Sequence, residues 1–398
     1  MTTKQFLPVI LTLASPFLVA EEEDNTYTTR TAVMAITEKN VHKTVGGKNP
    51  AHIKSDGPFV TADFLYWKAG IDGLEIATRS SINETFTSFN TKEMDFSAEW
   101  RPGFRLGFGW LFGEYDQWDL YTNWTFFYDK AKIEKGTKNS FITNYIPSWS
   151  PILGPTSPRI SGNWNLNYNT LDLEIGRNYF ISSKIALRPH VGLRGVWIDI
   201  DYKAKYVGTW AVATLPTGVV QYAASKTMFK ASNDFEGIGV RSGADLLWHF
   251  SDHFGIGSKI SAALLYGHFD VDETFYAGKL NISQVPETLP FITPYKQKYS
   301  KNLDRVRANI EAFLGLFFET GLSNGKYHFT LQAGYELSEW FEQNQLVAFA
   351  VSRDSRLLRA TPSLPSNLTF GINNDVTEIA RDGNLGLQGL TISACFNF

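Results

Sequence analysis

The chain has 398 residues, 37 basic and 40 acidic side chains, 32 glycines and an aromatic content of 15%. This near-balance of charge offers no electrostatic case for nucleic-acid binding, and a mean hydropathy of −0.18 excludes a bundle of membrane helices. Beyond the extreme N-terminus, no uninterrupted apolar run approaches the ~20 residues that a helical span needs.

Residues 1–20, "MTTKQFLPVILTLASPFLVA", read as a secretory signal peptide. Lys4 supplies the positive start and Phe6 to Val19 the apolar core, interrupted by Pro8 and Pro16. Ala20 stands before the cut, and acidic residues follow it. The only cysteine, Cys395, allows no internal disulfide. Residues 21–57 are polar and weakly patterned, and are expected to form a periplasmic N-terminal arm. The barrel described next is expected over 58–398.

From Phe59 a two-residue period recurs. "FVTADFLYWKA" (59–69) predicts a first strand. "FSAEWRPGFRLGFGWLF" (96–112) predicts a second, with Phe96, Trp100, Phe104, Leu106, Phe108, Trp110 and Phe112 on one face. Its other face carries Glu99, Arg101 and Arg105, with glycines at 103, 107 and 109 that leave room for neighbouring side chains. Gln117 to Asp129 alternates Trp118, Leu120 and Trp124 against Asp119, Tyr121 and Asn123. Asn163 to Phe180 sets four asparagines opposite Trp164, Leu166 and Tyr168. Its apolar residues then move to Leu171, Leu173 and Ile175, which predicts a bulge. Ile185 to Tyr202 repeats this, with Arg188, His190 and Arg194 on the polar face and a phase shift near Gly195. Phe235 to Phe250 and Gly255 to Phe269 follow, with Arg241, Asp245, His249 and Lys259 on their polar faces. Asp304 to Thr320 opposes Val306, Ile310, Leu314 and Leu316 to Arg305, Arg307, Asn309 and Glu311. Tyr327 to Leu337, with Glu336 at its end, and the closing "LGLQGLTISACFNF" complete the series.

The rhythm is strand, short turn, strand, long loop. The long loops are expected at 130–161, 203–234, 270–303 and 338–383. Strands of a soluble sandwich average ~5–6 residues, and these run two to three times longer. Such lengths suit tilted strands that cross ~25 Å of hydrocarbon. A sheet in lipid must close, because open edges would leave backbone groups unpaired. The expected fold is therefore all-β: a closed antiparallel transmembrane barrel of about ten strands, with short periplasmic turns and long extracellular loops. Hairpins hidden in Leu74–Phe89 or Phe341–Val351 would raise the count to twelve or more. Aromatic residues at strand ends predict interface girdles: Trp110, Phe112, Trp118, Phe180, Trp248, Phe250 and Tyr327 near the short turns, and Trp100, Tyr128, Trp164, Tyr202 and Tyr266 near the long loops.

The predicted lumen-lining set is Glu99, Arg105, Asp119, Arg188, Arg194, Arg241, Asp245, Lys259, Arg305, Arg307, Glu311 and Glu336. Such a set either forms a charged constriction that selects solutes or a salt-bridged core that fills a narrow barrel. Basic residues outnumber acidic ones in it, so a conducting lumen would slightly prefer anions. No G-x-S-x-G, H-E-x-x-H, P-loop or C-x-x-C motif occurs, and no catalytic residue, metal site or cofactor is expected. His268, Asp270, Asp272 and Glu273 are the acid–His group nearest to where a barrel hydrolase would hold its catalytic residues.

Five phrases are similar to a known family: "GPFVTADFLYWKA" (57–69), "RPGFRLGFGW" (101–110), "LRPHVGLRGVWI" (187–198), "LQAGYELSEWFEQNQL" (331–346) and "GLTISACFNF" (389–398). They resemble the Legionella-type pore-forming major outer membrane proteins, which also occur in chlamydia-like bacteria. The resemblance runs from about residue 57 to the end and implies a pore-forming or abundant surface barrel in the outer membrane. Some members are crosslinked through many cysteines, and this chain, with Cys395 alone, departs from them.

The leading expectation is a porin for small hydrophilic solutes or ions. The alternative is a non-conducting adhesin or structural protein acting through its outer loops. Expected partners are outer-membrane lipid, diffusing solutes and the barrel assembly machinery through the strand ending in Phe398, with a second copy of the chain as a further candidate.

Overall fold

The computed structural model describes residues 57–83, 88–112, 118–138, 143–149, 157–214, 220–277, 295–323, 326–352 and 375–398. The predicted signal peptide and nearly all of the predicted N-terminal arm lie outside the described residues.

Ten strands form the wall: β1 (Gly57–Ile71), β4 (Arg101–Phe112), β5 (Trp118–Gly136), β7 (Arg159–Arg177), β9 (Ile185–Thr214), β10 (Val220–His249), β11 (Phe254–Ala277), β12 (Tyr295–Leu322), β13 (Tyr327–Asn344) and β16 (Gly383–Asn397). Every pairing is antiparallel, from Phe59↔Asn397 between β1 and β16 round to β9 and β10. No edge is left open in this sheet. A two-residue strand, β8 (Tyr179–Phe180), adds to the foot of β9.

The two regions considered for hidden hairpins, Leu74–Phe89 and Phe341–Val351, each hold one strand of a small separate sheet, paired with strands beyond their bounds, and neither enters the wall. β2 (Ala77–Ile82) pairs with β3 (Phe89–Met94) and β6 (Thr143–Pro147), and β14 (Val347–Ser352) pairs with β15 (Asp375–Ala380). The barrel therefore stays at ten strands.

Outward side chains form the lipid-facing belt. On β12, Val306, Ile310, Leu314 and Leu316 are all about half exposed or more. From Val306 to Phe318 the strand climbs roughly 40 Å along its axis, or about 30 Å along the barrel axis at a tilt near 40°. That covers the apolar band of an outer-membrane barrel. Trp110, Phe112, Trp118, Trp248 and Phe250 are exposed near the short turns, and Trp100, Tyr128 and Tyr266 on the far side of the belt.

Two predicted features are corrected. First, the bulges expected near Leu171 and Gly195 are absent. β7 pairs with β5 and β9 without a register break. Trp164, Leu166 and Tyr168 point inward, 2%, 0% and 1% exposed, on the same face as Thr170, Asp172 and Glu174. The face did not change; the medium did. Within the belt, apolar residues face lipid and polar ones face the lumen. Beyond it, the wall meets water, so Asn165 and Asn167 point out and the apolar side chains fill the interior. Trp164 and Tyr202 are accordingly core residues, not girdle residues.

Second, much of the predicted long loops is strand. β9 and β10 run on to Thr214 and from Val220, with Val196, Ile198, Ile200 and Tyr202 inward and Asp199, Asp201 and Lys203 outward. The register shift that β9 and β10 do contain lies at Ser225/Lys226, far beyond the belt. At the other extreme, β4 begins at Arg101, not Phe96. Phe96 packs against Tyr202 with ring centroids 5.8 Å apart and does not face lipid.

Candidate functional site

Alternation on ten strands aims half of the wall's side chains at the axis. At the height of the belt those side chains are charged, and they bond across the lumen. Arg194 on β9 grips Asp172 on the adjacent β7 with both arms of its guanidinium, at 2.7 and 2.8 Å. The same group reaches β12, where Glu311 accepts at 2.6 and 2.9 Å and Asn309 at 2.5 Å. Arg241 on β10 also donates to Glu311, at 2.9 Å, and pairs with Glu174 on β7. Arg105 on β4 joins its cross-strand partner Asp63 at 3.2 Å to Glu336 on β13 at 2.7 Å. Nearer the short turns, Arg188 binds Asp119 at 2.5 Å and Asp245 at 3.0 Å, and His190 stands 3.3 Å from Glu174. Below these, His249 meets Glu319 at 2.8 Å.

Glycine makes this crowding feasible at one point in particular. A Cβ at Gly107 would collide with the hydroxyls of Thr61 and Tyr121. Those hydroxyls are hydrogen-bonded at 2.7 Å directly over it.

Of the predicted lumen residues, Arg105, Asp119, Arg188, Arg194, Arg241, Asp245, Lys259, Glu311 and Glu336 line one cavity of about 340 Å³ on the periplasmic side of the barrel interior. Lys259 sits opposite Asp245 across the strands and 5.6 Å from the Phe313 ring. The other three predicted residues lie outside this cavity. Glu99 is exposed at the outer start of β4 and pairs with Arg101. Arg305 is exposed nearer the outer end of β12. Arg307 is buried above the cavity, 4.9 Å from the Phe269 ring and 3.5 Å from Glu342. All three share the inward phase or its continuation, but alternation does not tell height.

The set missed Asp63, Asp172, Glu174 and His190 as members of the network. Their signal was available: each stands directly opposite, or on the same phase as, an arginine already chosen. With them the cavity holds five basic and seven acidic side chains, reversing the charge balance from which an anion preference was expected.

Above the cavity the interior turns apolar. Tyr168 on β7 and Trp340 on β13 meet across the lumen at 6.2 Å between ring centroids. Four strands separate them along the wall. Two chain segments then fold into the outer mouth. In one, Trp149 stacks on Phe229 at 4.7 Å and donates to the Glu75 carbonyl at 2.9 Å, while Tyr206 donates to the Ile76 carbonyl at 2.7 Å. In the other, Asn233 donates to the Gln343 carbonyl at 2.9 Å and Asn344 to the Asp72 carbonyl at 2.9 Å.

The acid–His group at the outer rim does not converge. His268 meets Asp304 at 2.7 Å and Asp270 at 3.4 Å on the outside of the wall, whereas Glu273 points into the interior.

A profile of the family described as the Legionella pneumophila major outer membrane protein precursor matches residues 56–398. The chain belongs to the Legionella major outer membrane protein family. Its place is the bacterial outer membrane, and lipid is its surrounding medium. No curated protein matches it. Among solved structures it is similar to the outer membrane protease OmpT of Escherichia coli, at 9% identity and a TM-score of 0.31 over 87% of this chain and 99% of that one. It is also similar to a FadL homologue of Pseudomonas aeruginosa, at 8% identity and a TM-score of 0.26 over 89% and 93% of the two chains. The toluene transporter TodX of Pseudomonas putida matches at 11% identity and a TM-score of 0.27, over 88% and 93%. At these scores the likenesses carry nothing about activity.

Proposed function

We propose that this family member is a non-enzymatic surface barrel that is closed to free diffusion in the conformation described, and that it acts through its outer end. The observation that carries this reading is the contact between Tyr168 and Trp340 across the lumen. It belongs to one continuous apolar cluster fed by strands all round the wall. Ions do not readily cross an apolar layer of that kind, because an unpaired charge there forfeits its hydration. The cross-lumen arginine–carboxylate pairs add a second obstruction beneath it.

The porin expected from the sequence is the second reading, favoured by the charged cavity of about 340 Å³. It requires the apolar layer to part. With acids in excess over bases in the cavity, such a pore would prefer cations.

Single-channel recording on the chain lacking residues 1–20, refolded in detergent and inserted in a planar bilayer, separates the two. A heat-modifiable barrel that passes no steady current agrees with the closed reading. Discrete steps from the wild-type chain overturn it in favour of the porin, and a reversal potential in a salt gradient then reports the sign of its selectivity.

A further inference from the structure

Glu273 stands on the inward face of β11, seven residues beyond Tyr266 of the lipid-facing belt, and is 3% exposed. Val271 and Phe275 flank it on the same face and are buried. Its cross-strand partners are Ala231 on β10 and Tyr299 on β12. Its Oε1 accepts a hydrogen bond of 2.7 Å from the backbone N–H of Val347. Its Oε2 is buried without a partner. Val347 opens β14, and with Leu346 and Ala348 it is buried in the segment that folds into the outer mouth.

A carboxylate held this way is poorly served. One oxygen has a single amide donor and the other has none, among apolar neighbours. The neutral acid suits such a place better than the anion. The segment above it is itself weakly satisfied: Gln343 is 0% exposed, and both atoms of its side-chain amide lack a partner.

We propose that Glu273 is a proton-operated latch on the outer cap, seating residues 343–348 in the mouth of the barrel when protonated and loosening them when ionised. Burial pushes its carboxyl up to about 7; the Val347 amide and Lys301 on β12 oppose this, and Glu378 on β15 reinforces it. The ordinary value is 4.5. Because the seated form binds its proton more tightly, seating is strongest below 4.5. It weakens as pH rises from 4.5 to about 7, and is level above that. The gap corresponds to at most roughly 300-fold in the seating equilibrium. The latch is independent of whether the lumen conducts, since the Tyr168–Trp340 layer lies beneath it.

Hydrogen exchange followed by mass spectrometry tests this on the refolded chain lacking residues 1–20, between pH 4.5 and 8, with rates corrected for the intrinsic pH dependence of exchange. Peptides covering 343–348 are expected to lose protection by tens- to hundreds-fold across this range and to level off above pH 7. Peptides from β11 within the belt should not follow. Glu273→Gln, with folding checked by heat-modifiable migration, should keep the cap protected and flatten the profile. Wild-type cap protection that does not vary with pH overturns the latch without need of any variant. An equal slope in Glu273→Gln overturns it too.

Discussion

Arg194 is 2% exposed and stands between Asp172 and Glu311. Without it those two carboxylates would face each other in a space shielded from bulk water. Removing one partner from such a group costs about 3–5 kcal/mol; here Asp172 would stay buried without its two-armed partner, and Glu311 would keep Arg241 alone. Arg194→Met is therefore expected to lower the stability of the refolded barrel by that amount in a urea titration. Adding Asp172→Asn and Glu311→Gln to Arg194→Met should restore most of the loss; if it does not, the arginine acts by packing and not by charge. A different carboxylate problem sits outside the belt. Asp234 lies directly opposite both Asp199 and Asp270 on the water-facing wall, an arrangement of like charges that opposes strand pairing. Partial burial and the neighbouring aspartates push its carboxyl up to about 6. A raised acid contributes stability below its ordinary value and loses it as pH rises through the raised one. The barrel should be more resistant to urea at pH 4 than at pH 7.5 on this account, and Asp234→Asn should reduce that difference. A difference unchanged in the variant would remove Asp234 from the explanation.

Along a single strand the polarity of one face reverses where membrane gives way to water. β9 shows this most plainly: Val191 and Leu193 face out toward lipid, and Asp199, Asp201 and Lys203 continue the same outward series. Leu193→Lys is expected to cost about 2–4 kcal/mol, the penalty of a cation on the lipid face of a barrel, and to suppress folding into lipid vesicles. Asp201→Lys, four positions further out on the same face, should change stability by less than about 1 kcal/mol. Equal effects at the two positions would misplace the boundary. The same reversal explains what the sequence made legible. A closed antiparallel barrel of about ten strands follows from alternation and length, but the choice between ten and twelve or more does not, because a two-residue period does not tell whether a hairpin belongs to the wall. The apparent phase shifts at Leu171 and Gly195 do not mark bulges, because an apolar side chain means lipid only within the belt. The nine predicted residues that line the cavity lie at belt height, where apolar side chains do face lipid. Glu99 and Arg305 lie beyond it on the outer side, and alternation is blind to height. Asp172 and Glu174 were hidden by the supposed bulge itself. The inward-folded segments at the outer mouth have no period to betray them; only their contacts place them.

At the scale of the molecule, a barrel with an inverted lower half and a conventional upper half needs no separate plug domain to be closed. Its upper interior is a mainly apolar core in which a few polar side chains, Arg307, Glu273 and Gln343 among them, are buried. Replacing Tyr168 and Trp340 together by alanine should thin that core at its cross-lumen contact and give measurable current in a planar bilayer where the wild-type chain gives none. A silent double variant would place the barrier elsewhere, at the Trp149–Phe229 stack above or at the arginine–carboxylate pairs beneath. The line where Leu193 gives way to Asp199 on β9, and Tyr266 to Asp270 on β11, also acts as a waterline. If the barrel rode a few ångströms lower, aspartates would enter hydrocarbon; if it rode higher, leucines would meet water. Its vertical position is thus fixed from both sides, and in a bilayer of the wrong thickness the surrounding lipids would have to stretch or compress to meet it. The fold in this way prefers membranes whose hydrocarbon depth matches its own belt.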